Sequence, residues 1–99
     1  MIARFNFRNA LQLDSPPSLF LIGDVLEGEI STGMVLRIPL RPSLTLNARI
    51  EGIELVTSLN RHDSPVALRV AFESEEEAQL ISDLLRPGAA LEVFRPADV

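Results

Sequence analysis

The stretch Gly23-Asp-Val-Leu-Glu-Gly-Glu-Ile-Ser-Thr-Gly33 decides the fold. Its glycines, Gly23, Gly28 and Gly33, recur at five-residue intervals, with apolar Val25, Leu26 and Ile30 between them. An ordinary strand interior disfavours glycine, because glycine contributes no side chain to pack. A strand that must bend sharply to close a small barrel needs it, since glycine accepts the bulge or the positive φ of a bend. The three glycines therefore read as corners of one long, coiled strand pair.

The flanking sequence supports this reading. Arg4 to Leu13 alternates around Phe5 and Phe7, then again at Leu11 and Leu13. Asp14 to Ser18 reads as a turn, because Pro16 and Pro17 have no backbone N–H for a central ladder. Leu19 to Ile30 begins as a continuous apolar run, which predicts a strand buried on both faces or strongly bent. Met34 to Arg41 places Leu36, Ile38 and Leu40 on one face and Arg37, Pro39 and Arg41 on the other. After a turn at Arg41 to Ser43, Leu44, Leu46, Ala48 and Ile50 point inward while Asn47, Arg49 and Glu51 point outward. Ser58 to Pro65 is a polar loop. In the strand that follows, Val66, Leu68, Val70 and Phe72 oppose Arg69.

One segment changes period. Ser74 with Glu77 predicts a capping box, and Glu75, Glu76 and Glu77 suit the positive end of a helix dipole. Ala78, Ile81 and Leu85, with Leu80 and Leu84, form a helical stripe, so a short helix is expected near residues 75–86. Pro87 and Gly88 stop it, and Ala89 to Phe94 reads as a last strand. Six or seven short strands and one helix predict a mainly all-β chain, a closed antiparallel β-barrel occupying residues 1–99 as a single domain.

The bulk properties exclude more than they assign. The chain has 99 residues, no cysteine and one histidine, and 46% of it is hydrophobic. Disulfides and thiolate metal sites are thereby excluded. The first residues lack a signal-peptide core, and no run approaches the roughly 20 apolar residues of a membrane span. A cytoplasmic, non-membrane protein is the expectation. The formal net charge of −5 argues against a general nucleic-acid binder. All nine basic residues are arginine, which excludes the P-loop lysine and leaves no nucleotide site of that type.

Candidate chemistry is sparse. His62 beside Asp63 is an orienting pair or simply a solvated loop. Asp24, Glu27 and Glu29 lie close in sequence, and strand alternation would give Glu27 and Glu29 a shared face, either a weak cation site or a solvated one. No catalytic constellation, metal cluster or cofactor motif is expected. Arg37, Arg41, Arg49 and Arg69 all fall on outward strand positions. Joined by a five-residue loop, Arg37 and Arg49 would lie directly opposite, so that Glu51 or a bound anion must offset them. The phenylalanines fall mostly in core phase, so base stacking has little to use.

The residues now carry a resemblance. Gly23 to Gly33 resembles the G-x-V-[VL]-x-G-x-[IV]-x-x-G stretch in the second domain of translational GTPases of the elongation factor Tu type. Ile50 to Leu55 is similar to that domain's V-x-[GS]-[IV]-E-[MF] segment, with Gly52 inside it and Glu54 on the family's glutamate. Asp63 to Val70 resembles G-D-N-V-[GA]-L-x-[VL]. Leu84 to Val93 resembles the closing strand, with Gly88 on its glycine, and Asn9 to Leu13 matches the entry strand. The resemblance implies the translation-factor barrel as a stand-alone domain, with Gly23, Gly28, Gly33, Gly52 and Gly88 as structural glycines. In that family the barrel helps hold the aminoacylated 3′ end of tRNA. Here the family's basic residue before the first glycine is Ile22, and Asp63, Ser64 and Pro65 replace its G-D. Three functions stay open: a non-catalytic module that binds another protein, an RNA or tRNA-end binder, and an enzyme or small-ligand pocket protein. Acidic charge and the absence of a site favour the first.

Overall fold

The computed structural model describes residues 1–56 and 65–99. It is a closed antiparallel barrel of six strands: β1 (Ala3–Asp14), β2 (Pro17–Gly28), β3 (Val35–Arg41), β4 (Leu44–Leu55), β5 (Val66–Val70) and β6 (Ala90–Phe94). Around the barrel the order is β1-β2-β5-β4-β3-β6, and β6 closes it by pairing with both β3 and β1. Closure removes the free edges that other chains could extend. The interior is apolar: Phe5, Phe7, Leu21, Leu36, Ile38, Ile50, Leu68 and Val93 are all buried. Each such aliphatic or aromatic side chain contributes about 1.5–3 kcal/mol on leaving water.

The glycine stretch does most of the bending. β2 pairs with β1 over its whole length, and the register shifts twice, once between Arg4 and Phe5 and once between Phe7 and Asn9. Gly23 pairs with Phe7 at the second shift. A Cβ on Gly23 would collide with the Asn6 carbonyl oxygen and come within 2.9 Å of the Phe5 ring. Only a residue without a side chain lets β1 pass this close. Gly28 ends β2 at a φ of 74°, packed against Ala3. Gly33 lies beyond the strand in the turn that leads to β3, so two of the three glycines shape the strand pair and the third shapes the connection. β2 is strongly bent and alternates Leu19, Leu21 and Gly23 inward with Phe20 and Ile22 outward, so it is not buried on both faces.

The helix α1 (Glu75–Leu84) follows β5. Ser74 Oγ accepts the Glu77 N–H at 3.1 Å, and no return bond from the Glu77 side chain forms among the described residues, so half of the expected capping box is present. Ala78, Ile81 and Leu85 join the core cluster, and the helix packs on β1 and β3. Leu85 is already extended, one residue before the Arg86–Pro87 step, where the proline ring disfavours helical backbone. Gly88 then donates its N–H to the Phe7 carbonyl at 2.7 Å and leads the chain into β6. Among the described residues, no helix is long and apolar enough to cross a membrane.

Candidate functional site: the outer wall of the barrel

The barrel interior is lined by buried apolar side chains, and the described outer surface carries a charged face, a cleft and an apolar patch. Over β2, β1, β6 and β3 it is charged and internally paired. The register sets Glu27 opposite Arg4, Arg4 opposite Glu92, and Glu92 opposite Arg37. Opposite charges thus alternate across four strands, with Arg4–Glu27 at 3.5 Å and Arg37–Glu92 at 3.9 Å. Exposed pairs like these contribute about 0.2–1 kcal/mol each. Arg37 also covers the Phe94 ring, 4.2 Å from its centroid. At the bulge, the Arg8 guanidinium grips both oxygens of Asp24 at 2.8 and 2.9 Å, a forked geometry stronger than single contacts.

Arg37 and Arg49 are not opposite each other. β3 and β4 meet in a tight turn at Pro42 and Ser43, with a register shift between Pro39 and Arg41, so Arg37 faces Asn47 while Val35 faces Arg49. The hairpin loop is shorter than the five residues that opposed arginines require. Arg49 and Arg69 do come together, in a cleft of about 620 Å³ that Ser18 and Phe72 also line. Between them sits Glu51: its carboxylate lies 3.3 Å from Arg49, and its carbonyl accepts from Arg69 at 3.3 Å. Arg69 lies across Gly52, its Nε 3.4 Å from where a Cβ would stand, an ordinary contact distance. Glu51 therefore supplies the offset to Arg49 that the sequence left between it and an anion. Arg41 is exposed at the hairpin turn, apart from the other three.

His62 and Asp63 lie outside the described residues. Glu27 and Glu29 do not share a strand face, because β2 stops at Gly28 and Glu29 falls beyond it, while Glu27 pairs with Arg4. Among the described residues no cluster of three metal-ligating side chains occurs.

One patch of the surface is apolar. Leu11, Phe20 and Ile22 on β1 and β2, Ala67 on β5 and Val56 after β4 surround a shallow depression of about 260 Å³, with Leu13 at its rim. Leu11 and Leu13 are 45% and 46% exposed. Paired rungs build this wall: Leu11 with Phe20, and Ile22 with Ala67. The β1 bulge is its cause. Phe5 and Phe7 point inward, and straight alternation would send Leu11 and Leu13 inward too. The extra residue at the bulge reverses the phase, so Ala10 packs on the core and the leucines face water. The sequence carried one signal of this, the unbroken run Leu19 to Ile22, in which only one of two apolar faces can enter the barrel. Phe20 and Phe94 likewise stand on the outer face, outside the core phase expected of most phenylalanines.

Comparison with known protein families, curated proteins and solved structures finds no match to this chain.

Proposed function

We propose that this chain is a non-catalytic protein-binding module, a barrel of the translation-factor second-domain type, whose contact face is the apolar wall of β1, β2 and β5. One observation carries the reading: Leu11, Leu13, Phe20 and Ile22 cluster facing outward, while on the charged face Arg4, Arg8 and Arg37 are paired with Glu27, Asp24 and Glu92. Contiguous exposed apolar surface rimmed by polar residues is the usual mark of a protein contact. The identity of Ile22 points the same way. In the resembled family that position is basic; here it is an isoleucine in the centre of the wall. Arg4, Arg8, Arg37 and Arg49, which would meet a phosphate backbone, are instead engaged with Glu27, Asp24, Glu92 and Glu51.

The test is a pull-down of the tagged protein from its own cell lysate, with and without RNase, beside the Leu11→Lys/Leu13→Lys variant. Both leucines are half exposed, so the variant keeps its core. A protein partner retained through RNase and lost from the variant is expected. A complex that RNase dissolves, or one the variant holds equally well, refutes the reading.

A further inference from the structure

Two charged side chains stand in and beside the apolar wall. Arg69 is the rung partner of Phe20, and Glu54 is the rung partner of Ala67. Among the described residues neither belongs to an ion pair; Arg69 holds only the Glu51 carbonyl. They sit on adjoining strands, one rung of the outer face apart, about 8 Å from each other by strand spacing and rise. Among the described residues the wall therefore carries one positive and one negative group on an otherwise apolar surface, which balance each other.

From this charge pattern we infer that the wall pairs with the same wall of a second copy of the chain, an inference that rests on the protein-binding reading above. A two-fold contact is isologous, so each surface must complement itself. A two-fold axis lying in the contact plane, perpendicular to the line from Arg69 to Glu54 and crossing it midway, runs close to Ala67 and Ile22. Rotation about it seats Arg69 of each copy on Glu54 of the other, so the ion pair forms twice. Ile22 meets its copy at the centre, where water is excluded and the flanking charges interact more strongly than on an open surface. The chain carries a net charge of −5, which would keep two arbitrary faces apart; on this face the described charges balance, and it meets its copy without repulsion.

The experiment is sedimentation equilibrium on the parent chain, Arg69→Glu, Glu54→Arg and the double variant carrying both changes. Both residues are exposed, so the barrel itself is unaffected, and circular dichroism confirms each variant's fold. The parent is expected at twice its 10.9 kDa chain mass. Each single reversal puts like charges at both contacts and raises the dimer dissociation constant by about tenfold to a hundredfold. The double reversal restores opposite charges at both and recovers the dimer. A parent chain that stays monomeric overturns the inference, as does a dimer that both single reversals leave intact. A monomer that still holds an RNase-resistant foreign protein through Leu11 and Leu13 overturns self-pairing while the protein-binding reading stands. A monomer without such a partner removes both.

Discussion

Replacing Gly23, Gly28 and Gly33 one at a time by alanine separates close packing from backbone conformation. Gly33 has a φ of 92° and nothing within 4 Å of the point where a Cβ would stand, so only the left-handed backbone counts against Gly33→Ala. That costs about 1–2 kcal/mol. Gly23 is the reverse case: its backbone lies outside the left-handed region, but its methyl would strike the Asn6 carbonyl and crowd the Phe5 ring at 2.9 Å. Overpacking costs about 1–3 kcal/mol, and the obstacle here is backbone in a paired strand, which places Gly23→Ala near about 3 kcal/mol. Gly28 combines both penalties, a φ of 74° and a methyl driven into the Ile2 carbonyl and to 2.9 Å from the Ala3 Cα. Gly28→Ala is therefore the most damaging of the three, at about 3–5 kcal/mol. Urea unfolding followed by circular dichroism reads these values, with the m-value unchanged if the native and denatured states keep their exposure. In melting temperature each kcal/mol is about 4–8 °C for a domain of this size. The order Gly28, Gly23, Gly33 is the prediction. Gly23→Ala within about 0.5 kcal/mol of the parent, a change typical of an unconstrained surface site, would refute the close-approach argument. So would a Gly33→Ala penalty equal to that of Gly23→Ala.

Further substitutions probe the helix cap and the charged face of the surface. Ser74→Ala removes the side-chain cap of α1 and lowers stability by about 1 kcal/mol, read from the urea midpoint; Ser74→Asn retains most of it. Arg8→Gln loses a forked, half-buried ion pair and is expected to cost about 1 kcal/mol, whereas Arg37→Gln loses a 3.9 Å exposed pair and costs about 0.5 kcal/mol or less. Paired denaturation curves at low and high salt check the difference: salt should shrink the Arg37 effect more than the Arg8 effect.

The barrel was legible because its determinants are local. Alternation at Leu36 and Ile38, at Ala48 and Ile50, and at Leu68 and Val70 follows the pleat, and each of these side chains is buried as its phase demands. Ser74 and the three glutamates after it marked the helix start, since capping involves only neighbours along the chain. The surface was less legible. The arginines were placed correctly on the outer face, but whether Arg37 met Arg49 depended on a register set by a two-residue turn and a bulge at Leu40. Arg37's partner Glu92 comes from β6, a strand that sequence order does not place beside β3, and Arg69 meets a backbone carbonyl at Glu51 rather than a side chain, which no pattern of residue types announces.

By itself, then, the sequence determined the strand pattern, the helix and the glycine-bent corner, all consequences of side-chain period and backbone freedom acting over a few residues. Tertiary structure alone decided which apolar residues are left outside. Phe5, Phe7, Leu11 and Leu13 share one alternation phase in the chain, yet the bulge between Phe7 and Asn9 sends the first two into the core and the last two into water. A bulge forms where two strands must stay paired around a closing barrel, a condition that exists only once β2 lies against β1 and β6 has closed the ring.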